Sequence, residues 1–574
     1  MKKFNVFFTI ILSLTIGSNA ICAPEINRIR QNEETVGLYN KFEVVLDLKA
    51  DFANPFDPDE ISIDAVFTSP AGKQWKIPGF YNMVSFNSIW MVRFSPHELG
   101  EWKYVISIKD KNGETKSDVG SFKAIPSPYH GPIKVADNKR YLEYTDGTPF
   151  YGVGFWFNDE LTYRSNDGRI TSDELDRLKE LGLNFISSFI MPIETMGTGL
   201  GRYDQNLCRR WDKVFEMCEE KDIQLSFNFW FHNFISETVW SHGWHTNPYN
   251  TVCASKDFFK SEEAWKYQEK LYRYFIARWG YSRSLAIWFI VDEVNGTDGW
   301  RADTASAANW GKKIHEYFKA NDPYNHPTTG TRSGGIREWW QEGYEIFDLP
   351  GREIYEAQGF PINRNGKITA DDTHPLTYSY NNYAGQIRKL WNGWEKPCLI
   401  PETGYDHTYY EPSQPGYLAQ YHNALWVSLA CGTSMSPFWW SYNSFINDNM
   451  ITHQILNLRM FTDEIPFSKL TGLTPVEGTF TNGDAFIMKS DQLVFGWAVN
   501  PRTDATGETV TISGLEKGNY KLRLYHTWRG RFIHEEELEV KKKSASFTVP
   551  TLKVERGHAK YIGEDVAFIL EPVE

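Results

Sequence analysis

The sequence lacks several features that would assign a function at once. It has only six cysteines in 574 residues, and their spacing is not that of a metal site. It contains no Gly-x-Ser-x-Gly elbow and no glycine-rich phosphate loop ending in Lys-Ser or Lys-Thr. These absences weaken a serine esterase hypothesis and give no support to nucleotide hydrolysis. We expect the thiols to be mostly small, buried apolar groups.

Positive charge is also scarce. There are 60 Lys and Arg against 73 Asp and Glu, for a formal net charge of −13. An excess of negative charge does not favour binding to nucleic acid or to anionic membranes. Beyond the N-terminus no stretch is long and apolar enough to span a bilayer. We therefore expect no nucleic-acid partner and no transmembrane segment.

Aromatic residues, in contrast, are abundant. They make up 16% of the chain, with 22 Trp and 30 Tyr. Flat aromatic rings suit the apolar faces of pyranose sugars, but several aromatic-rich β-domains would produce the same excess. Composition alone does not separate these two interpretations.

The first residues are typical of a signal peptide. Lys2 and Lys3 precede an apolar run over 4–16, and small residues follow it, so we predict a signal peptide over 1–23. Cys22 leaves lipid anchoring open, although the residue before it is not the small one expected, which favours a released protein. We expect a secreted protein, periplasmic or at the cell surface of a Gram-negative bacterium.

The pattern of apolar residues changes twice along the chain. Short alternating runs predict an Ig-like β-sandwich over 24–125. Strands then alternate with helices over 133–466, which predicts a (β/α)8 TIM barrel with insertions. A return to strand-like runs predicts a second β-sandwich over 467–574. The predicted fold is multidomain, with a central barrel between N- and C-terminal sandwiches.

Most barrel elements can be placed from the sequence, although the fifth and sixth strands have the weakest signals. We predict the first four strands and the eighth at 150–157, 184–191, 223–231, 285–293 and 433–440, and helices at 172–181, 207–221, 262–279, 305–319 and 417–430. The seventh strand is predicted to end in Glu402.

Two glutamates each follow a short apolar run. The run 285–291 leads into Asp292 and Glu293, and 397–401 leads into Glu402. Runs of this kind are typical of strands buried on both faces of a parallel sheet. Charges at their carboxyl ends would lie at the mouth of an α/β barrel, where active sites form. Two such carboxylates are what glycoside hydrolysis requires.

The same segments resemble a known group of enzymes. Residues 278–296 resemble the fourth-strand motif of the cellulase-like barrels in clan A of the glycoside hydrolases, and 401–405 resemble their seventh-strand nucleophile motif. Residues 146–154 are similar to their first strand. The resemblance implies that Glu293 is the acid/base and Glu402 the nucleophile. It also implies carboxyl groups roughly 5 Å apart and retention of anomeric configuration.

The flanking regions resemble domains that accompany such barrels. Segments 67–73 and 93–102 are similar to the small β-sandwich domain of unknown function that often precedes barrels in bacterial polysaccharide-degrading proteins. The C-terminal region resembles a sandwich sometimes labelled a collagen-binding domain, a label that we do not take as a function.

One residue departs from the clan pattern. Most members have Asn directly before the acid/base, where it contacts the substrate 2-hydroxyl, but here the residue is Asp292. A carboxylate can accept that hydrogen bond but cannot donate as an amide does. A second charge beside Glu293 would raise the pKa of one of the pair. The substrate preference and a shared acid role for Asp292 are therefore left open.

Other candidates lie at the predicted strand ends. His232 and Asn233 end the third strand, and although a histidine beside an apolar strand is often structural, the barrel mouth favours substrate contact. Trp439 and Trp440 end the eighth strand, where strand alternation predicts that one faces the pocket and the other the barrel wall. Tyr355 is predicted to come from the sixth strand and touch the nucleophile.

These observations favour a retaining glycoside hydrolase acting on a β-linked, or equivalent equatorial, poly- or oligosaccharide. The alternative is a carbohydrate-binding protein that has lost turnover. We expect a monomer that needs no cofactor and no metal. His242 and His245 lack a third ligand at metal spacing, so with Trp240 and Trp244 they are predicted to form an aromatic rim of the cleft.

Overall fold

The computed structural model describes most of the chain. The described residues are 23–84, 87–157, 172–189, 192–333, 339–355, 374–404, 415–440, 449–500, 508–550 and 564–573. The signal peptide predicted over 1–23, with Cys22, lies outside them except for its last residue. Within these ranges no helix combines the length and apolarity needed to cross a membrane.

The N-terminal region forms two sheets on a shared core. One has the order β1-β3-β7-β6 and the other β2-β10-β8-β4-β5, with β9 on β8. The strands are β1 (Glu25–Gln31), β2 (Thr35–Gly37), β3 (Phe42–Lys49), β4 (Ile61–Thr68), β5 (Gln74–Pro78), β6 (Phe80–Val84), β7 (Asn87–Phe94), β8 (Gly100–Asp110), β9 (Gly113–Lys116) and β10 (Gly120–Ile125). In β4 every second residue is buried, which places Ile61, Ile63, Ala65 and Phe67 in that core.

A small antiparallel sheet leads into the central body and corrects one prediction. It contains β11 (Ile133–Val135), β12 (Leu142–Tyr144) and β13 (Pro149–Phe150). The predicted first barrel strand over 150–157 is therefore divided: Phe150 belongs to β13, and β14 (Gly154–Phe157) is the continuous strand in the barrel. The reason is a side-chain contact: Val153 N–H donates to Asn184 Oδ1 at 2.7 Å, which interrupts the strand hydrogen bonds.

The central body is barrel-like. Parallel strands run in the order β14-β15-β16-β17-β18-β19, and β20 pairs with β21. These are β15 (Phe185–Phe189), β16 (Gln224–Phe231), β17 (Leu285–Asp292), β18 (Thr328–Gly330), β19 (Leu349–Pro350), β20 (Ile354–Tyr355) and β21 (Thr403–Gly404). Parallel bridges continue the ring and return to its start: Gly351 to Leu399, Cys398 to Thr433, Met435 to Gly152 and Trp439 to Phe155. The predicted eighth strand over 433–440 thus contributes single bridges rather than a continuous strand.

Helices surround this ring. They are α1 (Ser172–Glu180), α2 (Gln205–Lys221), α3 (Glu262–Trp279), α4 (Asp298–Ala302), α5 (Thr304–Asn321), α6 (Gln341–Ile346), α7 (His374–Gly393), α8 (Pro415–Cys431) and α9 (Asn449–Thr462). Short 3-10 turns span Gly243–Thr246, Pro248–Thr251, Ser255–Asp257, Val294–Gly296 and Phe467–Lys469. Helix α3 has its predicted bounds because Ser261 caps it, accepting from Ala264 N–H at 3.2 Å.

The C-terminal region again forms two sheets. Their orders are β22-β24-β25-β30-β27-β28 and β23-β26-β29. The strands are β22 (Thr474–Val476), β23 (Gly478–Phe480), β24 (Asp484–Lys489), β25 (Val494–Asn500), β26 (Thr509–Ser513), β27 (Gly518–His526), β28 (Arg531–Val540), β29 (Ser544–Thr548) and β30 (Glu564–Pro572). Asp565 of β30 is buried and accepts from His422 of α8 at 3.0 Å, so the sheets and the barrel share a polar contact.

Candidate active site

A cavity of about 800 Å³ opens at the carboxyl ends of the parallel strands. Its walls are mostly aromatic and apolar, with carboxylates at one end. The lining residues are Phe189, Pro192, Glu194, Thr195, Met196, Gly197, Leu207, Phe231, His232, Asn233, Phe234, Gly243, His245, Thr246, Asp292, Glu293, Glu402 and Trp440. An apolar pocket with a few convergent polar groups is the usual form of a small-molecule site.

Asp292 and Glu293 both reach this cavity because the backbone turns between them. Successive side chains of a strand point to opposite faces. Asp292 ends β17, whereas Glu293 has φ 51° and ψ 51°, in the left-handed region. A non-glycine residue rarely adopts this conformation, and such residues cluster at functional sites.

Thr331 holds this turn in place. Its hydroxyl accepts the backbone N–H of Glu293 at 2.9 Å and donates to Asp292 Oδ1 at 3.1 Å. Val294 N–H also donates to the backbone oxygen of Thr331, at 3.0 Å. The two acidic residues are therefore positioned by the residue that follows β18.

Glu402 approaches from the other side of the ring. It directly precedes β21, whose partner is β20, and only 5% of the residue is exposed. The hydroxyl of Tyr355 on β20 donates a hydrogen bond to Glu402 Oε1. The predicted contact between Tyr355 and the second glutamate is thus present in the geometry.

Glu353 is a further acidic residue that the sequence did not single out. It lies two residues before Tyr355, so both side chains leave the strand on the same side. It is fully buried, and neither carboxylate oxygen has a conventional hydrogen-bond donor among the described residues. The only sequence signal is its place after Leu349–Pro350, an apolar run too short to indicate a strand.

The carboxyl groups lie close to one another. One oxygen of each of Glu293, Glu353 and Glu402 lies within 4.8 Å of one oxygen of the other two. Burial raises the pKa of Glu293 to about 7. Burial, and then the neighbouring carboxylates, raise the pKa values of Glu353, Glu402 and Asp292 well above the ordinary range. Burial and mutual repulsion therefore favour the protonated forms within this group.

His232 lies beside Glu293 and is neutral. Its Nδ1 is 3.1 Å from Glu293 Oε2, but the two atoms are not aligned for a hydrogen bond. Burial lowers the pKa of His232 to about 4, so it brings no positive charge to the carboxyl cluster at neutral pH. Asn233, the next residue, is exposed and also lines the cavity.

The two tryptophans of the last ring segment separate as strand alternation predicts. Trp440 is partly exposed and lines the cavity, with its ring 5.8 Å from that of Trp156. Trp439 was also a candidate for sugar binding, but its fully buried ring packs against Tyr421 of α8. It belongs to the wall between strand and helix, because its side chain points away from the ring axis.

The predicted rim is only partly present. His242 and His245 are exposed, and His245 lines the cavity. Trp240 is 53% exposed, but Trp244 is buried and packs its ring on Phe258. Trp244 is therefore a core residue, contrary to the sequence prediction.

The spacing of the three glutamates has a second chemical meaning. Within the described residues they form the group whose oxygens are spaced so that a divalent cation could fit. Hard cations prefer such oxygen donors.

Comparison by sequence gives limited information. Residues 35–109 match a family model described as a domain of unknown function (DUF5060). None of the curated protein sequences matches the chain.

Comparison by structure is more informative. A protein from Bacteroides vulgatus ATCC 8482 assigned as a glycoside hydrolase is 16% identical, with 94% of this chain and 100% of that chain covered and a TM-score of 0.63. A glycoside hydrolase family 5 structure from the same organism is 15% identical, with 77% and 93% covered and a TM-score of 0.50. At this identity the likeness shows the fold: a multidomain, glycosidase-like chain with a barrel-like domain.

Proposed function

We propose that the protein is a retaining glycoside hydrolase that cleaves β-linked, or equivalent equatorial, bonds in a poly- or oligosaccharide. It would use a clan A (β/α)8 barrel flanked by two β-sandwiches. The observation that supports this most directly is the separation of Glu293 and Glu402, which both line the cavity and whose nearest oxygens lie within 4.8 Å of each other. Retaining enzymes hold their carboxyl groups roughly 5 Å apart, whereas inverting ones leave room for a water between them.

Glu402 is the proposed nucleophile. The hydroxyl of Tyr355 donates a hydrogen bond to Glu402 Oε1. This hydrogen bond stabilises the ionised carboxylate and fixes its orientation. In the first step Glu402 attacks the anomeric carbon while the bond from that carbon to the leaving oxygen breaks. The product of this step is a glycosyl ester on Glu402.

Glu293 is the proposed acid/base. A pKa of about 7 keeps much of it protonated near neutral pH, so it can give its proton to the leaving oxygen. The resulting carboxylate then takes a proton from water. That water attacks the anomeric carbon, and the ester bond to Glu402 breaks.

The neighbouring residues orient the sugar and the carboxyls. Asp292, His232, Asn233 and Trp440 line the cavity beside Glu293. Glu353 is buried among the other carboxyls, and burial and their charges raise its pKa well above the ordinary range, which favours its neutral form. A neutral donor there would hold the pair in place without adding a third negative charge.

The rival proposal is a carbohydrate-binding protein on the same scaffold. Binding alone requires neither buried glutamate, and burying both raises the free energy of the folded state. Their presence therefore favours hydrolysis.

The test is sugar release from plant, algal and host β-glycans and from aryl β-glycosides. Wild type would be compared with Glu402→Ala and with Glu395→Ala, a matched control whose side chain is 70% exposed. We expect release by wild type and the control, and none by Glu402→Ala. Product analysis by NMR should show retained configuration at the anomeric carbon.

A second variant separates the two roles. Glu293→Ala should still turn over aryl glycosides with acidic leaving groups, which need no protonation, but should fail on glycans. Equal release by wild type and Glu402→Ala would refute the nucleophile assignment. Retention on a glycan gel without any release would favour the binding protein.

A further inference from the structure

Trp240 is exposed to solvent, unlike the other tryptophans. All 22 fall within the described residues, and only Trp240 is exposed, at 53%. The others are buried or partly buried. An isolated exposed aromatic needs no explanation by itself. Its surroundings are what make Trp240 unusual.

The loop that carries Trp240 is held in one conformation. Trp240 has φ 58°, in the left-handed region that bulky residues rarely adopt. Asp298 fixes the preceding residues by accepting the backbone N–H groups of Glu237, at 2.5 Å, and Thr238, at 3.2 Å. Ser236 Oγ closes the turn by donating to the Val239 oxygen at 2.5 Å. The indole is therefore presented to solvent by a well-bonded loop.

The indole packs on two neighbours of the proposed acid/base, His232 and Gly296. Its ring is 5.6 Å from that of His232, edge to face, and His232 Nδ1 is 3.1 Å from Glu293 Oε2. It also packs on Gly296, where an added Cβ would lie 2.3 Å from Trp240 Cε3. Gly296 is three residues after Glu293, and its N–H donates to the Glu293 backbone oxygen at 2.8 Å. A side chain at 296 would exclude Trp240 from this place.

We propose that Trp240 is the stacking platform of a subsite for the leaving-group sugar, a pyranose with an exposed apolar face. This rests on the proposed function. Glu293 protonates the leaving oxygen, so the departing sugar must lie on the Glu293 side of the cleavage point. His232 lines the cavity beside Glu293, and Trp240 packs edge to face on His232 just outside the cavity lining.

The decisive experiment compares two leaving groups. Wild type and Trp240→Ala would be assayed on the oligosaccharide identified by the glycan panel and on the matching glycosyl fluoride, which has no leaving-group sugar. We expect kcat/KM for the oligosaccharide to fall by about 10- to 100-fold, as for loss of a central aromatic contact. The value for the fluoride should change by less than about twofold. Trp240→Phe should recover part of the loss.

The control is Met460→Ala, which removes another exposed apolar side chain, 47% exposed, from α9. It should leave both substrates unchanged. An equal fall on the oligosaccharide and the fluoride would show that Trp240 only supports Glu293, and would overturn the subsite. Unchanged kcat/KM on both substrates would also overturn the subsite.

A binding measurement separates failure of the subsite from failure of the proposed hydrolysis. Glu402→Gln and Glu402→Gln/Trp240→Ala would be run in native gels containing mixed-linkage β-glucan, xylan or galactomannan. The platform is supported if a glycan retards Glu402→Gln but does not retard Glu402→Gln/Trp240→Ala, even if the wild type releases no sugar. Retardation that Trp240→Ala leaves unchanged, or no retardation in any gel, would overturn it.

Discussion

Two buried charged clusters in this protein are built in opposite ways. Between the N-terminal sheets and the barrel, Asp212 of α2 accepts from Arg93 at 2.9 Å, from Arg278 at 2.6 Å and from Trp279 at 2.9 Å. Burial alone would raise its pKa, but the two guanidinium groups outweigh burial and hold the pKa of Asp212 below its usual range. In the cavity, Asp292, Glu293, Glu353 and Glu402 are brought together and their pKa values are all raised.

The difference separates a structural cluster from a reactive one. Asp212 and Glu43, which pairs with Arg93 at 2.9 Å, together balance the charges of the two Arg residues, and such paired, hydrogen-bonded charges are how buried ions are tolerated. The four neighbouring carboxyls instead face one another, and burial together with this proximity raises their pKa values. A cluster that destabilises the fold is expected where proton transfer is needed. Removing one charge should therefore have opposite effects at the two places.

The largest expected effect is on turnover. Glu402→Gln keeps the shape and the Tyr355 contact but cannot attack the anomeric carbon, so kcat on an activated aryl glycoside should fall at least about a thousandfold. The same variant should melt no lower than wild type at pH 7, because it removes a buried ionisable group. Activity within tenfold of wild type would contradict the assignment.

The next effect is on stability at the N-terminal interface. Asp212→Asn leaves Arg278 buried without its counter-ion and leaves Arg93 with only Glu43, at 2.9 Å, which should lower the free energy of unfolding by about 3–5 kcal/mol. Urea denaturation followed by fluorescence would measure it. Asp463→Asn is the control, since its pair with Arg459 is on the surface, with 56% of the Asp463 side chain exposed, and should change stability by less than about 1 kcal/mol.

A smaller effect of opposite sign is expected for Glu353→Gln. The folded-state pKa of Glu353 is raised above its ordinary value, so at pH 7 folding requires a proton that the unfolded carboxylate lacks. The resulting loss of stability is absent in acid. It grows as the pH rises above the unfolded pKa, by about 1.4 kcal/mol for each pH unit, until the pH reaches the folded pKa.

Glu353→Gln should therefore raise the melting temperature at pH 7 but not at pH 4, while its amide still donates a hydrogen bond and preserves most activity. Glu395→Gln, at an exposed side chain, should raise it at neither pH. A lower melting temperature for Glu353→Gln at pH 7 would refute the protonated state.

The smallest effect concerns the pH profile. With the pKa of Glu293 at about 7, kcat/KM on a glycan should fall above that pH as the acid form is lost. His232 is neutral at this pH, so His232→Asn should shift the pH at which kcat/KM falls by less than about half a pH unit. Loss of a nearby cation would instead shift it by about one unit or more. A rate that stays flat to about pH 9 would contradict the acid role.

Some parts of the site could be predicted and others could not, for local reasons. Glu293 follows seven apolar residues and Asp292, so its place at a strand end is visible in the sequence. Glu353 lies between β19 and β20, two strands of only two residues each, which are too short to be recognised in the sequence. The first barrel strand was predicted too long because the hydrogen bond from Val153 to the distant Asn184 has no local signal.

The sequence alone determined the order of the three regions, most helix bounds and the two strand-end glutamates, because periodic burial and helix caps depend on residues close in the chain. Only the tertiary structure decided which carboxyls meet, that Trp440 rather than Trp439 faces the cavity, and that Trp240 lies beside Glu293. Those contacts join residues far apart in the chain. The pKa values follow from the same packing, since burial and neighbouring charges exist only once the ring of strands has assembled.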